Sequence, residues 1–179
     1  MILIGIDDTD KPEGHGTGYL ARQLCALIAA SGIARVDEIT RHQLLFDRRI
    51  PYTSHNSALC MRVEVQSGGL SALAAMCRSY LLKHSAVGSD AGLCIATSSD
   101  VSPVVEDFGF KAKKEILTQD RARELARCEG LSLEGLTGDH GERSRRAYWL
   151  ATGSARDSRH CHGRSSSDAL WNRCHSPGP

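Results

Sequence analysis

Short apolar runs alternate with helical patterns along the first part of the chain. The segment "MILIGID" (1–7) is almost continuously apolar and ends in polar residues, which predicts a buried central strand. From Thr17 onward, apolar residues recur every three or four positions. This spacing predicts an amphipathic helix that ends near Gly32, a residue able to cap its carboxyl end.

The middle of the chain predicts three more strands and a second helix. "RVDEITRHQLLF" (35–46) is typical of a strand, and "NSALCMRVEV" (56–65) alternates apolar and small or polar residues more strictly. "GGLSALAAMCRSYLLKHSA" (68–86) carries an apolar stripe at helical spacing. "AGLCIAT" (91–97) then predicts another short buried strand.

Two further helices complete the predicted fold. "SPVVEDFGFKAKKEIL" (102–117) begins with Ser102 as amino-terminal cap and Pro103 at the first helical position. "QDRARELARCEG" (119–130) ends on a capping glycine. The order β-α-β-β-α-β-α-α predicts an α+β fold with helices packed on a mixed β-sheet. Its first six elements match the ferredoxin-like order.

The last part of the chain has a different composition. Residues 142–179 contain 7 Arg and 7 Ser but no Ile, Val, Phe or Lys. Such a segment cannot bury enough apolar surface to order itself. We therefore predict one domain over residues 1–141 and an irregular basic tail over residues 142–179, which is either disordered or translated out of frame after Gly141.

Composition excludes several classes of protein. The chain has 179 residues, 41% of them hydrophobic, and a net charge of +1, so no global field favours nucleic acid or a membrane surface. It has no long apolar run and no signal-peptide pattern at its start. The seven cysteines lie mostly in apolar patterns, which favours reduced thiols in the cytoplasm. Four of them are predicted to be core residues: Cys25, Cys60, Cys77 and Cys94.

Candidate chemistry is concentrated in "GIDDTDKPEGHGTGYL" (5–20). Asp7, Asp8 and Asp10 follow the first predicted strand. Clustered carboxylates are hard oxygen ligands that suit Mg²⁺ together with phosphate oxygens. Side-chain alternation predicts that Asp7 and Asp8 face different sides. A solvated acidic loop is the alternative interpretation.

A glycine-rich turn follows the acidic residues. Gly14, Gly16 and Gly18 surround the predicted start of a helix at Thr17. Open backbone N–H groups and the helix dipole favour a phosphate at such a position. Metal-binding carboxylates beside an anion-binding turn are typical of phosphoryl transfer. In the alternative interpretation, Thr17 is only a helix cap.

Several motifs together resemble a known family. "IGIDDTD" followed by "GHGTGYLA" resembles the amino-terminal region of the tRNA-Ile agmatidine synthetases (TiaS) and their short bacterial relatives. "RRIPYTSHNSALCMRVEV" (48–65) is similar to the N-x-x-I-P-Y-K-T-R-G-N-x-A segment of that family. "FGFKAKKEIL" and then "GLTGDHG" resemble its next helix and second glycine-rich loop. The resemblance covers roughly residues 1–141.

The resemblance implies an activity and its cofactors. The family uses ATP and Mg²⁺ to activate a cytidine of a tRNA, and agmatine then replaces an oxygen of that base. ATP is accordingly the expected ligand of this chain, with tRNA and agmatine as further partners. The expected enzyme type is an ATP-dependent, kinase-like ligase.

The resemblance also places residues on the motifs of the family. Asp7, Asp8 and Asp10 fall on its acidic motif, and Thr17 falls on the threonine that accepts phosphate. Our own hypothesis is that Asp8 and Asp10 would hold Mg²⁺ and that Asp7 would orient or deprotonate a nucleophile. The residues expected to contact the nucleotide are Asp10, Gly14, Gly16, Gly18 and Asn56.

Departures from the family pattern leave other functions open. The K-T-R-G-N stretch reads "TSHNS" here, so two cations are replaced by Thr53 or Ser54 and by His55, and Arg41, Arg48 and Arg49 are candidates to compensate. The OB-fold and zinc ribbon of the family have no counterpart in this sequence. One alternative is a non-catalytic nucleotide- or RNA-binding module.

A haloacid-dehalogenase-like phosphatase is the other alternative. Asp8 and Asp10 at a strand end resemble the opening motif of that class of enzyme. However, Lys11 stands where the motif has Thr or Val, and the predicted order of elements differs from that class.

Overall fold

A computed structural model describes residues 1–11, 14–50 and 56–138 of the chain. The predicted tail lies outside these residues. The first eight elements occur in the predicted order, and a short fifth strand follows them. Their bounds are β1 Ile2–Asp7, α1 Thr17–Ser31, β2 Ala34–Gln43, β3 Ser57–Val65, α2 Leu70–His84, β4 Gly92–Thr97, α3 Pro103–Ala112, α4 Gln119–Glu129 and β5 Ser132–Gly135.

The strands form one sheet in the order β2-β3-β1-β4-β5. The α+β class and the ferredoxin-like arrangement of the first four strands are confirmed. Each pairing in the described sheet is antiparallel, so the prediction of a mixed sheet was wrong. The reason is topological: β1, β2 and β5 run in one direction, but β3 and β4 lie between them and run the other way.

Both faces of the sheet are covered. On one face, Ile4 and Ile6 of β1 pack with Leu24 of α1 and with Leu73 and Leu81 of α2. The opposite face forms a second core with α3 and α4, which contribute Val105, Ala122 and Ala126. Because β1 is buried on both sides, it has an almost continuous apolar sequence instead of an alternating one.

The helix ends follow the predicted signals in part. Ser102 caps α3 by accepting a hydrogen bond from the N–H of Val105, with Pro103 in the first turn. Gly32 ends α1 at a φ of 70°, a left-handed conformation that glycine adopts without penalty. In contrast, Gly16 precedes α1 without any side-chain cap. Among the described residues, the amino end of α1 therefore has no hydroxyl cap like that of α3.

The buried cysteines are confirmed as core residues. Cys25, Cys60, Cys77 and Cys94 are buried free thiols, whereas Cys128 is exposed. Burial raises the pKa of each buried thiol to about 12, because a thiolate would lose its hydration there. Packing is therefore their observed role.

The strand register brings distant segments to one edge of the sheet. Asp7 pairs with Gly92 at the end of β1, and Gly92 pairs with Gly135 at the end of β5. On the other side of β1, Ser57 at the start of β3 pairs with Gln43 at the end of β2. We call this border of the sheet the site edge. Among the described helices, none is long and apolar enough to cross a membrane.

Candidate functional site

The chain turns sharply at the end of β1. Asp8 has a φ of 52°, the one positive value among the described residues other than glycine. The N–H of Asp8 donates a hydrogen bond to Oδ1 of Asp7 at 2.7 Å, and both residues are buried. A left-handed aspartate is tolerated but strained, and such strain persists where the surroundings hold it in place. The turn directs the following residues toward the start of α1.

A chain of hydroxyl groups connects this turn to α1. Oγ1 of Thr9 donates to Oγ1 of Thr17 at 3.1 Å, and Thr17 donates to Oδ1 of Asp10 at 3.2 Å. A carboxylate can only accept hydrogen bonds, so the direction of the chain is fixed. Thr17 is buried and Thr9 is fully enclosed. Thr9 was not singled out from the sequence, although it lies inside the acidic motif.

The three aspartates do not share the same contacts. Asp10 contacts the Thr17 hydroxyl, while Asp7 accepts a hydrogen bond from its own turn. Asp7 also alternates with Ile6 along β1, which places it on the sheet face that α3 and α4 cover. The carboxylate that accepts the hydrogen of the Thr17 hydroxyl is thus that of Asp10. The expected role of Asp7 in orienting or deprotonating a nucleophile stays a prediction.

The glycine turn leaves space at the start of α1. The N–H of Gly14 closes a turn onto the carbonyl of Lys11 at 3.0 Å. Gly16 has a negative φ, and a Cβ there would meet, among the described residues, only Oδ2 of Asp10 at 3.8 Å. Neither backbone conformation nor packing in this part of the structure requires glycine at position 16. Gly18 lies in the first turn of α1.

A second loop supports the acidic turn from the α2 side. The N–H of Ala86 donates to the carbonyl of Thr9 at 2.9 Å. The side chain of Lys11 extends over Gly88, where a Cβ would lie 2.6 Å from the ammonium nitrogen. The Lys11 ammonium is thereby placed over the loop between α2 and β4.

A third loop closes the site edge after β5. Oγ1 of Thr137 donates to the carbonyl of Ser89 at 2.8 Å and accepts from the N–H of Ala91 at 2.9 Å. Gly138 has a φ of 80° and packs directly on Asp90. The sequence indicated the glycine-rich loop but not this contact, because 48 positions separate Ser89 from Thr137. Residues 139–141 of the same motif lie outside the described part of the chain.

Asn56 has a clear role in the fold. Its side-chain Nδ2 donates to the carbonyl of Leu45 at 2.6 Å, and its backbone carbonyl accepts from the N–H of Leu44 at 2.9 Å. The residue is buried. These bonds tie the segment after β2 to the start of β3. Contact of Asn56 with a nucleotide stays a prediction.

Two of the three candidate compensating arginines, Arg41 and Arg49, have protein partners near the site edge. Nε of Arg41 donates to Oγ of Ser57 at 2.9 Å. Arg49 forms an ion pair with Asp47 at 2.7 Å, and the guanidinium holds the pKa of that carboxyl well below its usual value. Residues 51–55, which carry the altered cationic stretch, lie outside the described residues.

The donor set fits a cation that is shared with a phosphate. Among the described residues, no group of three or more His, Cys, Asp or Glu side chains is arranged to hold a metal ion. Mg²⁺ is usually bound by one or two carboxylates, with substrate phosphates and water completing its shell. Asp8 and Asp10 lie in one turn beside the open end of α1, which is compatible with that mode. Their binding of Mg²⁺ stays a prediction.

Comparison with known proteins gives a consistent structural likeness. No protein-family model and no curated protein matches the chain. The structure superimposes on apo TiaS, a tRNA(Ile2) agmatidine synthetase, with a TM-score of 0.72 and 20% identity. A complex of TiaS with tRNA(Ile2) and ATP gives 0.73 and 21%, and a tRNA fluorescent labelling enzyme gives 0.73 and 23%.

The superposition includes most of this chain but only part of each larger protein. The superposition covers 88% of this chain but 36% of each of these larger proteins. At this identity the likeness establishes the fold, and the sequence resemblance to the agmatidine synthetases is confirmed at that level. The chain thus has the fold of a part of TiaS that amounts to about a third of that enzyme.

Proposed function

We propose that the chain is an ATP- and Mg²⁺-dependent phosphoryl-transfer domain of the agmatidine-synthetase type, in which Thr17 is the first phosphate acceptor. The observation that carries this proposal is the position of the Thr17 hydroxyl. It lies at an uncapped helix start and donates its hydrogen to the carboxylate of Asp10. A hydroxyl beside a base and an anion-binding helix end is the arrangement that nucleophilic attack on a phosphate requires.

The proposed step transfers the γ-phosphoryl group of ATP to Thr17, and Asp10 takes the proton. Oγ1 of Thr17 attacks the γ-phosphorus of ATP, and its proton passes to Oδ1 of Asp10. The bond from the γ-phosphorus to the bridging oxygen breaks, and ADP leaves. Thr9 stays hydrogen-bonded to Thr17 and orients the nucleophile. The open N–H groups of α1 and the Lys11 ammonium stabilise the phosphate oxygens.

Mg²⁺ would be held by Asp8 and Asp10 together with phosphate oxygens. The ion supplies charge neutralisation when it is bound. Asp8 contributes through the strained turn that fixes its position relative to Asp10. Asp7 stabilises that turn through its hydrogen bond to the Asp8 N–H, which is a positioning role.

The partners of the complete reaction are part of the same proposal. TiaS structures exist with tRNA(Ile2) and ATP, and with tRNA(Ile2), AMPCPP and agmatine. This chain spans about a third of that enzyme. We infer that it supplies the phosphoryl-transfer part, and that tRNA and agmatine are handled together with further modules.

Radiolabelling tests the proposal directly. Incubation with Mg²⁺ and γ-labelled ATP should give covalently labelled protein, and Thr17→Ala should abolish the label. Thr17→Ser should keep it, because the hydroxyl remains. Thr97→Ala is the matched control, since Thr97 lies at the opposite end of the sheet beside Ile2. Equal labelling of wild type and Thr17→Ala would contradict Thr17 as acceptor.

ATP-binding and phosphatase measurements on the same variants distinguish the alternatives. ATP binding without turnover, unchanged in Thr17→Ala and Asp10→Asn, would favour a non-catalytic nucleotide-binding module. Release of phosphate from a simple phosphomonoester without ATP turnover would favour the phosphatase. Loss of labelling in both variants, with ATP binding retained in Thr17→Ala, is the result expected here.

A further inference from the structure

A tight turn between α2 and β4 contacts the acidic turn with one of its ends. The N–H of Ser89 donates to the carbonyl of Ala86 at 3.0 Å, which closes a β-turn over residues 86–89. Gly88 supplies the positive φ of 76° that this turn contains. We call residues 86–89 the connecting turn. Its first N–H, that of Ala86, donates to the carbonyl of Thr9 at 2.9 Å.

The carbonyl held by Ala86 belongs to the peptide group between Thr9 and Asp10. A peptide group is planar, so fixing its oxygen also fixes the direction in which the chain enters Asp10. Thr9 approaches Oγ1 of Thr17 with its hydroxyl at 3.1 Å and with its N–H at 3.4 Å. Asp10 accepts the hydrogen of Thr17 at 3.2 Å. The connecting turn therefore holds the peptide group that joins two residues in contact with the Thr17 hydroxyl.

The other end of the connecting turn is held by the hydroxyl of Thr137. Its Oγ1 donates to the carbonyl of Ser89 at 2.8 Å and accepts from the N–H of Ala91 at 2.9 Å. Ser89 is buried, whereas Val87 at the tip of the turn is 95% exposed. Packing contributes little at such an exposed tip, so hydrogen bonds at the two ends fix the position of the turn.

We propose that Thr137 is a positioning residue for the phosphoryl transfer, which acts through the connecting turn on the peptide group between Thr9 and Asp10. This inference rests on the proposed function, because it assigns a further residue to the same reaction. A continuous series of hydrogen bonds joins the hydroxyl of Thr137 to that of Thr17. Loss of the Thr137 hydroxyl lets the turn shift, and a nucleophile displaced by about 1 Å reacts much more slowly.

The rate of Thr17 labelling by γ-labelled ATP, measured over a range of ATP concentrations, tests this role. Thr137→Val replaces the hydroxyl by a methyl group of similar size and should lower the maximal rate constant by roughly 10- to 100-fold. The ATP concentration for half-maximal labelling should stay the same, because the change affects alignment and not binding. Thr137→Ser should restore most of the rate, since a serine hydroxyl can make both hydrogen bonds.

A double variant tests whether Thr137 acts through Thr9. Thr9→Val removes the hydroxyl that orients Thr17 and should itself slow labelling. When Thr137→Val is added to Thr9→Val, the rate should fall by less than about 2-fold further, because both changes affect the same series of contacts. A full additional loss would show that Thr137 acts by another route and would overturn the inference.

Control variants separate slow chemistry from loss of structure. Thr97→Val is the matched control, because it removes a hydroxyl that is hydrogen-bonded to Ser99 at 2.6 Å at the opposite end of the sheet. It should change neither kinetic parameter. In Thr137→Val the N–H of Leu136 can still donate to the carbonyl of Ala91, so β5 is expected to stay attached. Circular dichroism at the assay temperature verifies that each variant is folded.

A measurement without ATP follows the same contacts. In the NMR spectrum, the amide proton of Ala86 should move upfield in Thr137→Val, as its hydrogen bond to Thr9 lengthens. It should stay in place in Thr97→Val. Thr137→Ala removes the same hydroxyl without the added methyl group, so both measurements can be made on either variant. An unmoved Ala86 resonance in folded Thr137→Val or Thr137→Ala would overturn the inference.

The kinetic results distinguish this inference from the proposed function. An unchanged maximal rate in folded Thr137→Val would overturn the inference and leave Thr17 as the acceptor. Equally slow labelling in Thr137→Ser and Thr137→Val would also overturn it, because the hydroxyl would then not be the cause. A rise in the half-maximal ATP concentration that explains the whole loss would do the same. Absence of labelling in the wild type would contradict the proposed function, and this inference with it.

Discussion

Gly138→Ala is expected to disrupt the contact between the loop after β5 and the loop before β4. Gly138 has a φ of 80°, a conformation that L-residues avoid. A Cβ at this position would overlap the carboxylate of Asp90 and lie 2.8 Å from the carbonyl oxygen of Ser89. The carboxylate can rotate away, but the backbone carbonyl cannot, because Thr137 holds it by a hydrogen bond.

The expected loss can be estimated from two terms. A left-handed L-residue costs about 1–2 kcal/mol, and overpacking against fixed atoms costs about 1–3 kcal/mol. Gly138→Ala should therefore lower the free energy of unfolding by about 2–5 kcal/mol. Gly32→Ala is the matched control, because Gly32 has a φ of 70° with no atom within 4 Å. It should show the first term alone, about 1–2 kcal/mol.

Urea unfolding followed by circular dichroism measures both variants. The effect of alanine on the unfolded chain is similar at the two sites and cancels in their difference. That difference, about 1–3 kcal/mol, isolates the contact with Ser89 and Asp90. If Gly138→Ala is no less stable than Gly32→Ala, the close packing of these two loops is wrong.

Four further outcomes follow from the structure. Asn56→Ala should cost about 1–3 kcal/mol in urea unfolding, because the partly buried carbonyl of Leu45 loses the Asn56 side-chain donor; an unchanged midpoint would contradict its role in the fold. Asp10→Asn should slow labelling of the protein about 10²-fold or more, since an amide cannot take the proton; an unaltered rate would exclude Asp10 as base. The four buried thiols have their pKa raised from 9.0 to about 12. The unfolded chain therefore loses these protons first, so the contribution of the thiols to stability should be constant below pH 9 and fall towards pH 12, by up to about 1.4 kcal/mol per thiol and pH unit; a flat profile between pH 9 and pH 12 would refute this. Iodoacetamide should modify Cys128 in the native protein well before the buried thiols, as peptide mass spectrometry can show.

Strands could be predicted where their burial produces a recognisable apolar pattern in the sequence. β1 is buried on both faces and β3 alternates, so both were recognised from their apolar patterns. β5 has four residues, of which Ser132 and Gly135 are exposed, and its sequence has no apolar pattern to detect. Strand direction was missed for another reason. It depends on which strands become neighbours, and apolar periodicity carries no such information.

The residues of the candidate site could be predicted from the sequence, but the contacts between them could not. The acidic motif and Thr17 were identified from residue type and from the resemblance. The hydrogen bond from Thr17 to Asp10 depends on how the glycine turn folds back, which spacing alone does not reveal.

The two sides of the site edge are attached to strands that differ in how many neighbouring strands they have. β1 is held between β3 and β4, whereas within the described sheet β5 has one neighbour, β4, which it contacts through the four residues from Ser132 to Gly135. Short border strands open locally at a fraction of the free energy that global unfolding needs. The Ala91 amide, whose acceptor is Thr137, should therefore exchange its hydrogen faster than the amide of Ile4. The β5 side of the site can thus loosen and re-form while the aspartates at the end of β1 stay in place.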